Sequence, residues 1–224
     1  NSGDLSSFLL EITIVVLGKI DPDTGVPLVD LVVDTAAQKG TGKWTAQDAL
    51  DLGVAVPTLT VAVLARILSS QKQERVAAAR ILRGPSRKFP GDKAQFLSKL
   101  KDAYTLAAIA CYAQGFAQMQ AASREYGYNL KFAELAQIWR GGCIIRAKLL
   151  EPIRAAFRTN PDLKNLMLDR YFKGFINRRG NSLRRVVRTA VDRGVPCLAF
   201  SSALGYIDSY RRERLPANLL QAQR

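Results

Sequence analysis

Two glycines, two lysines and two threonines crowd into Ala37-Gln38-Lys39-Gly40-Thr41-Gly42-Lys43-Trp44-Thr45-Ala46, directly ahead of an apolar-periodic run. Glycines let successive backbone N–H groups turn into one concavity, and such a nest attracts anions. Lysines add point charges and threonine hydroxyls add donors. Thr45 with Asp48 three positions later reads as a capping pair at a helix start. A helix N-terminus beside a cationic glycine loop is a site for phosphate or carboxylate. On these residues alone, an anion site and a plain helix-connecting turn both satisfy the pattern.

Two familiar phosphate motifs are excluded. A Walker loop needs Ser or Thr after Gly-Lys, but Trp44 follows Lys43, and Ala37 stands where the earlier glycine belongs. The dinucleotide fingerprint fails as well, because Thr45 occupies its third glycine position and no strand-like run precedes it. The chain has no histidine, which removes His-based acid–base chemistry, His metal ligation and Ser-His or Cys-His nucleophile pairs. Proton transfer here would fall to Asp, Glu, Lys or Tyr. Cys111, Cys143 and Cys197 are odd in number, far apart and without metal spacing, so they read as small buried thiols of a reducing, cytoplasmic protein. No metal site is expected.

The elements that must position the loop are helical. Apolar periodicity predicts helices over Leu5–Leu17, Leu28–Ala37, Ala46–Leu52, Pro57–Ser69 and Gln73–Leu82, then a surface loop over Ser86–Gly91. Asp92 opens a run to about Tyr126 whose middle, Leu106–Ala122, is apolar on almost every face, so other helices should surround it. Gly115 inside that run reads as a place where a neighbouring backbone approaches closely. Further helices are predicted over Lys131–Trp139, Arg146–Arg158, Pro161–Phe172, Ser182–Arg193, Pro196–Arg212 and Pro216–Arg224. The fold class is all-α: residues 1–224 form one multi-helix domain with a long central buried helix and no Rossmann domain.

The formal net charge is +14. Lys173, Arg178, Arg179, Arg184, Arg185 and Arg188 follow one another without an intervening acid. Leu183, Val187, Ala190 and Val191 make an apolar stripe that leaves Arg184, Arg185 and Arg188 on the wet side. Few aromatics interleave with them for base stacking, so a solvated basic face fits better than a nucleic-acid surface. No apolar run approaches the roughly 18 residues of a membrane helix. The stretch Phe8–Leu17 is interrupted by Glu11 and lacks a basic leader, so it is not read as a signal peptide.

Beyond the loop itself, Ala49-Leu50, Gly53, Leu64-Ala-Arg66 and Leu68-Ser-Ser70 follow Gln38-Lys-Gly-Thr-Gly-Lys-Trp-Thr45 in order. Then come Tyr112-Ala-Gln-Gly-Phe116, Trp139-Arg-Gly-Gly-Cys-Ile-Ile-Arg146 and Leu215-Pro-Ala-Asn-Leu-Leu-Gln-Ala-Gln-Arg224. Together, from Phe8 to Arg224, this text resembles the decarboxylating 6-phosphogluconate dehydrogenase family. The resemblance implies a substrate-binding and dimerisation part of an enzyme that oxidises 6-phosphogluconate with NADP and decarboxylates it to ribulose 5-phosphate. It implies substrate contacts by Lys39, Thr41 and Arg66. It also implies a phosphate contact from Arg224 to the site of the other subunit of a homodimer. Arg66 has a plainer alternative, offsetting the dipole at a helix C-terminus. The family's catalytic lysine and glutamate and its cofactor domain lie upstream of Asn1, and its substrate-binding histidine lies beyond Arg224. The resemblance therefore implies a piece of the enzyme, truncated at both ends, with no catalytic residue of its own. Such a piece is expected neither to bind NADP nor to turn over substrate. A non-catalytic structural or assembly module is the alternative, with a basic nucleic-acid binder further behind.

Overall fold

The computed structural model describes residues 5–37, 39–86 and 88–224. Its described residues form helices α1 (Phe8–Gly18), α2 (Leu28–Leu31), α3 (Thr41–Asp51), α4 (Pro57–Ser70) and α5 (Lys72–Ile81). The central α6 (Lys93–Glu125) follows, then α7 (Phe132–Ile138), α8 (Leu150–Thr159), a 3-10 turn (Leu166–Leu168), α9 (Arg170–Asp192), α10 (Leu198–Tyr210) and α11 (Ala217–Ala222). Among the described residues the only β pairings are isolated bridges, Ser7 with Ala147 and Ile20 with Pro27. The expected all-α class holds.

Asp92 starts α6 by accepting from the Gln95 N–H at 3.0 Å. The helix is surrounded as its sequence demands, packing against α9, α10 and α4. Leu106, Ile109 and Phe116 are fully buried, each worth about 1.5–3 kcal/mol relative to exposure. Ala103, Ala107, Ala110 and Ala113 lie buried along it, and their small side chains let neighbouring helices come close. Phe116 stacks against Phe157 with ring centres 4.8 Å apart and against Trp139 at 5.6 Å, which ties α7 and α8 to the core. Asp102, buried on α6, accepts from Ser182 Oγ at 3.0 Å and pairs with Arg179 at 3.2 Å, fixing α9.

Several boundaries differ from the periodicity. The predicted helix over Leu28–Ala37 is a single turn, Leu28–Leu31, followed by a strap without helix over residues 32–37. Ala36 and Ala37 bond to α4 instead of to a helical turn of their own. The predicted start at Ala46 moves back to Thr41, so Thr45 lies inside α3 and its hydroxyl donates to the Thr41 carbonyl at 2.9 Å. Thr45 and Asp48 are therefore not a capping pair. Residues 146–148 are held as a bridge by backbone bonds to Ser6 and Phe8, and α8 starts only at Leu150. The predicted helix over Pro161–Phe172 is a turn and a 3-10 segment. Asp169 then caps α9, which runs through Gly180 and absorbs the predicted Ser182–Arg193 helix. Within the expected apolar stripe Leu183 is buried, but Val191 is 64% exposed, and Val186 takes its place in the core. Gly115 is not a close-packing site: a Cβ there would meet nothing within 4 Å. Arg87, part of the expected Ser86–Gly91 loop, lies outside the described residues.

The α3–α4 unit is joined to the core by amide chemistry from α6. Gln114, with no exposure, accepts from the Thr58 N–H and donates to the Thr58 hydroxyl, both at 2.8 Å. Thr58 sits in the first turn of α4, where backbone donors have no helical partner. One turn along, Gln118 donates to the Thr45 carbonyl at 2.9 Å and to Asp48 at 2.6 Å, gripping α3. Replacing Gln114 with Leu keeps the volume but leaves the buried Thr58 N–H without its acceptor. We expect Gln114→Leu to cost about 1–3 kcal/mol in urea unfolding. An unchanged unfolding midpoint would show that the amide is dispensable.

Candidate functional site

Gly40 has φ +99°, a conformation that L side chains rarely adopt, and it turns the chain into α3. The first helical bond runs from the Trp44 N–H to the Gly40 carbonyl at 2.9 Å. The N–H groups of Thr41, Gly42 and Lys43 are consequently the terminal donors of α3, at its positive end. A Cβ on Gly42 would stand 3.0 Å from the Val63 side chain, so this glycine sets how closely α3 approaches α4.

Between the two helices lies a cleft of about 510 Å³. Lys39, Thr41, Gly42 and Thr45 line one wall, with Val63 and Arg66 opposite. Lys39, Thr41 and Arg66, the substrate contacts that the resemblance implies, all line this cleft. Arg66 reaches across, and its Nη2 donates to the Ala37 carbonyl. Gln38 of the same motif lies outside the described residues. Arg224 does not join the cleft within one chain. It follows α11, a helix with no buried residue, and its N–H donates to the Gln221 carbonyl at 3.3 Å.

Sequence reasoning missed the residues that hold the strap over residues 32–37. Asp34 pairs with Lys72 and, at 3.0 Å, with Arg75. The Ser69 hydroxyl accepts from the Ala36 N–H at 2.9 Å. Ser69 stood within the quoted Leu68-Ser-Ser70 text, but nothing in its spacing signalled a partner 33 positions away. The Lys72 and Arg75 hydrogen bonds hold the Asp34 carboxyl well below its ordinary range, at about 2.

A second cavity, about 460 Å³, opens beside α6 and is lined mostly by apolar groups, with Gly115, Phe116 and Trp139 in its wall. Burial pushes the Cys111 thiol up to about 11 and the Tyr112 phenol up to about 12, so both stay neutral near pH 7. Tyr112 is already committed, donating to the Ile145 carbonyl at 3.1 Å. The wall is apolar and carries no ionised nucleophile of its own. Among the described residues no group of three or more His, Cys, Asp or Glu could hold a metal ion. No helix among them is long and apolar enough to cross a membrane. Three members of the basic run on α9 are paired: Arg179 with Asp102, Arg184 with Asp208 at 2.8 Å, and Arg188 with Asp192 at 3.8 Å.

The described residues thus form an all-helical domain with a cationic cleft at one helix N-terminus. Residues 1–224 match the family described as 6-phosphogluconate dehydrogenase, C-terminal domain, and the chain belongs to that family. It is 52% identical over 225 residues to the Bacillus subtilis 6-phosphogluconate dehydrogenase described as NADP(+)-dependent and decarboxylating. It is 50% identical over 224 residues to the decarboxylating enzyme of Staphylococcus aureus. In both comparisons all of this chain aligns with 48% of the relative, so the chain spans about half their length. The solved Plasmodium falciparum 6-phosphogluconate dehydrogenase superposes with a TM-score of 0.94 at 39% identity, covering 99% of this chain and 48% of that one. That protein has been solved in its apo form, with its cofactor NADP+ and with its substrate 6-phosphogluconate.

Asp34 offers a direct check of the strap. Its folded pKa is lowered from 3.8 to about 2, so its contribution is fully present above 3.8 and is lost as pH falls through about 2. Carboxyl NMR should find Asp34 titrating near 2, and Lys72→Ala should move that midpoint upward. A midpoint unmoved by Lys72→Ala would remove Lys72 from the cluster.

Proposed function

We propose that residues 1–224 act as one helical domain, the substrate-binding and dimerisation part of an enzyme that oxidatively decarboxylates 6-phosphogluconate to ribulose 5-phosphate with NADP. The observation that carries this reading is the convergence of Lys39, Thr41, the α3 N-terminus and Arg66 on one cleft. A sugar phosphate brings nearly two negative charges, and the cleft offers two cations, a hydroxyl and terminal backbone N–H groups. Lys39 and Arg66 would each make a charge-assisted bond worth about 1.5–3 kcal/mol. Arg224 would complete the phosphate contact from a second copy. The identity to enzymes of this name supports the substrate class. A cytoplasmic location accords with the free Cys111, Cys143 and Cys197.

The described residues do not suit NADP. They contain isolated bridges but no parallel strands, and the glycine loop opens onto a helix with Thr45 at the third fingerprint position. No hydride-transfer step is therefore assigned to this chain.

A specific observation also favours a role in assembly. Ile14, Val15 and Leu17 on α1 are 55–69% exposed, and α1 has no buried residue. An exposed apolar run of this kind on a helix calls for a covering surface, and a homodimer would supply one.

Calorimetry should show 6-phosphogluconate binding to the chain, weakened at least about tenfold by Arg66→Ala, the loss of one charged hydrogen bond. Lys173→Ala, on the basic run, should leave the affinity unchanged. Equal binding by Arg66→Ala would overturn the site, and equal loss in Lys173→Ala would point to diffuse attraction screened by salt. The purified chain, mixed with NADP and 6-phosphogluconate, should form no NADPH, and sustained NADPH production would contradict the assignment. Light scattering at micromolar concentration should give a dimer or larger species, and a stable monomer would contradict the assembly role.

A further inference from the structure

The strap over residues 32–37 lies against α4, two positions ahead of Lys39 in sequence, yet hydrophobic burial does not hold it. Val32 and Val33 are 65% and 67% exposed. What holds the strap is polar. The Ala36 N–H donates to Ser69 Oγ at 2.9 Å, and the same hydroxyl donates to the Arg66 carbonyl at 2.7 Å. The adjoining Ala37 carbonyl accepts from Arg66 Nη2. Arg66 and Ser69, one turn apart on α4, thus clasp consecutive strap residues from the same helix face.

Asp34 closes the other end. Its carboxylate takes Lys72 and Arg75, both from α5, and its carbonyl accepts from Arg75 Nη2 at 3.2 Å. The same Nη2 donates to the Ser69 carbonyl at 2.9 Å, at the C-terminal end of α4 where a cation is favoured. Arg75 Nε is buried without a partner among the described residues, so this guanidinium is held by its other nitrogens. Each exposed ion pair alone is weak, but here they share one carboxylate and one guanidinium.

We infer that Ser69 and Asp34 are positioning residues for anion binding: they latch the strap on the α4–α5 elbow and thereby fix the Lys39 wall opposite Arg66. This inference rests on the binding reading proposed above. Neither residue lines the cleft, so both act through the strap and the residues it adjoins. Ser69→Thr retains a hydroxyl, whereas Ser69→Ala removes the side-chain acceptor of the Ala36 N–H.

The test uses the 224-residue chain with 6-phosphogluconate as the probe, in two arms. In the ligand-free arm, amide exchange at Ala36 should speed up in Ser69→Ala and in Asp34→Ala, while α4 amides keep their protection. In the binding arm, Ser69→Ala should weaken affinity about fivefold, the size of one ordinary hydrogen bond, and Ser69→Thr should restore it. In a Lys39→Ala background, Ser69→Ala should cost less than it does in the parent chain, because its route to the ligand through Lys39 has been removed. Unchanged exchange at Ala36 would overturn the latch. An unchanged affinity in Ser69→Ala, or an undiminished loss in the Lys39→Ala background, would overturn its positioning role. If the parent chain does not bind 6-phosphogluconate, the binding reading falls, and the exchange arm alone decides the latch.

Discussion

A buried backbone donor at the start of a helix must find an acceptor, and Gln114 is that acceptor for α4. Because Gln114 belongs to α6, the demand of one helix terminus becomes a registration of α4 on the core. Gln118 holds α3 in the opposite sense, donating to the Thr45 carbonyl and to Asp48, and Gln120 donates to the Leu163 carbonyl at 2.8 Å in the loop before the 3-10 turn. Apolar contacts alone would let the helices slide by small amounts at little cost. Side-chain amides bonded across the interface do not, since a shift breaks bonds in a buried setting. The two helices that flank the cleft, α3 and α4, are thus both referenced to one helix.

The fold class and the long central helix were legible because they rest on local pattern. The unbroken apolar character of Leu106–Ala122 permits little except a surrounded helix. The grouping of Lys39, Thr41 and Arg66 was legible only through the resemblance, since 27 positions separate the outer two. The strap was not legible at all. Residues 28–37 show helical spacing, and their departure from it is enforced by Ser69, Arg66 and Arg75, all distant in sequence. Thr45 and Asp48 illustrate the same limit. The spacing of a capping pair is genuine, but the helix had already begun at Thr41, and Asp48 was taken by Gln118. Gly115 misled in the opposite direction, its missing side chain opening onto a cavity wall and not a neighbouring backbone.

The charge distribution separates into structural and free parts. A net charge of +14 invites a polyanion, yet many cations on the surface are already tied into the fold. Arg146 illustrates this: it pairs with Glu11 at 2.8 Å and lies 4.8 Å over the Phe8 ring, fastening α1 to the chain before α8. Arg140 and Arg154 share Glu151 in the same manner. The cations on the cleft wall stand apart because they face open volume, with Arg66 committed by one nitrogen and not by its whole fork.

That partial commitment has a consequence for how an anion is received. A free arginine on a surface samples many rotamers, and immobilising it costs about 1.5–2 kcal/mol of side-chain entropy. Arg66 gives up most of that freedom on folding, when Ala37 fixes its far end. An arriving anion would therefore meet a guanidinium already pointed, and its binding would lose less entropy than the same contact from a loose side chain.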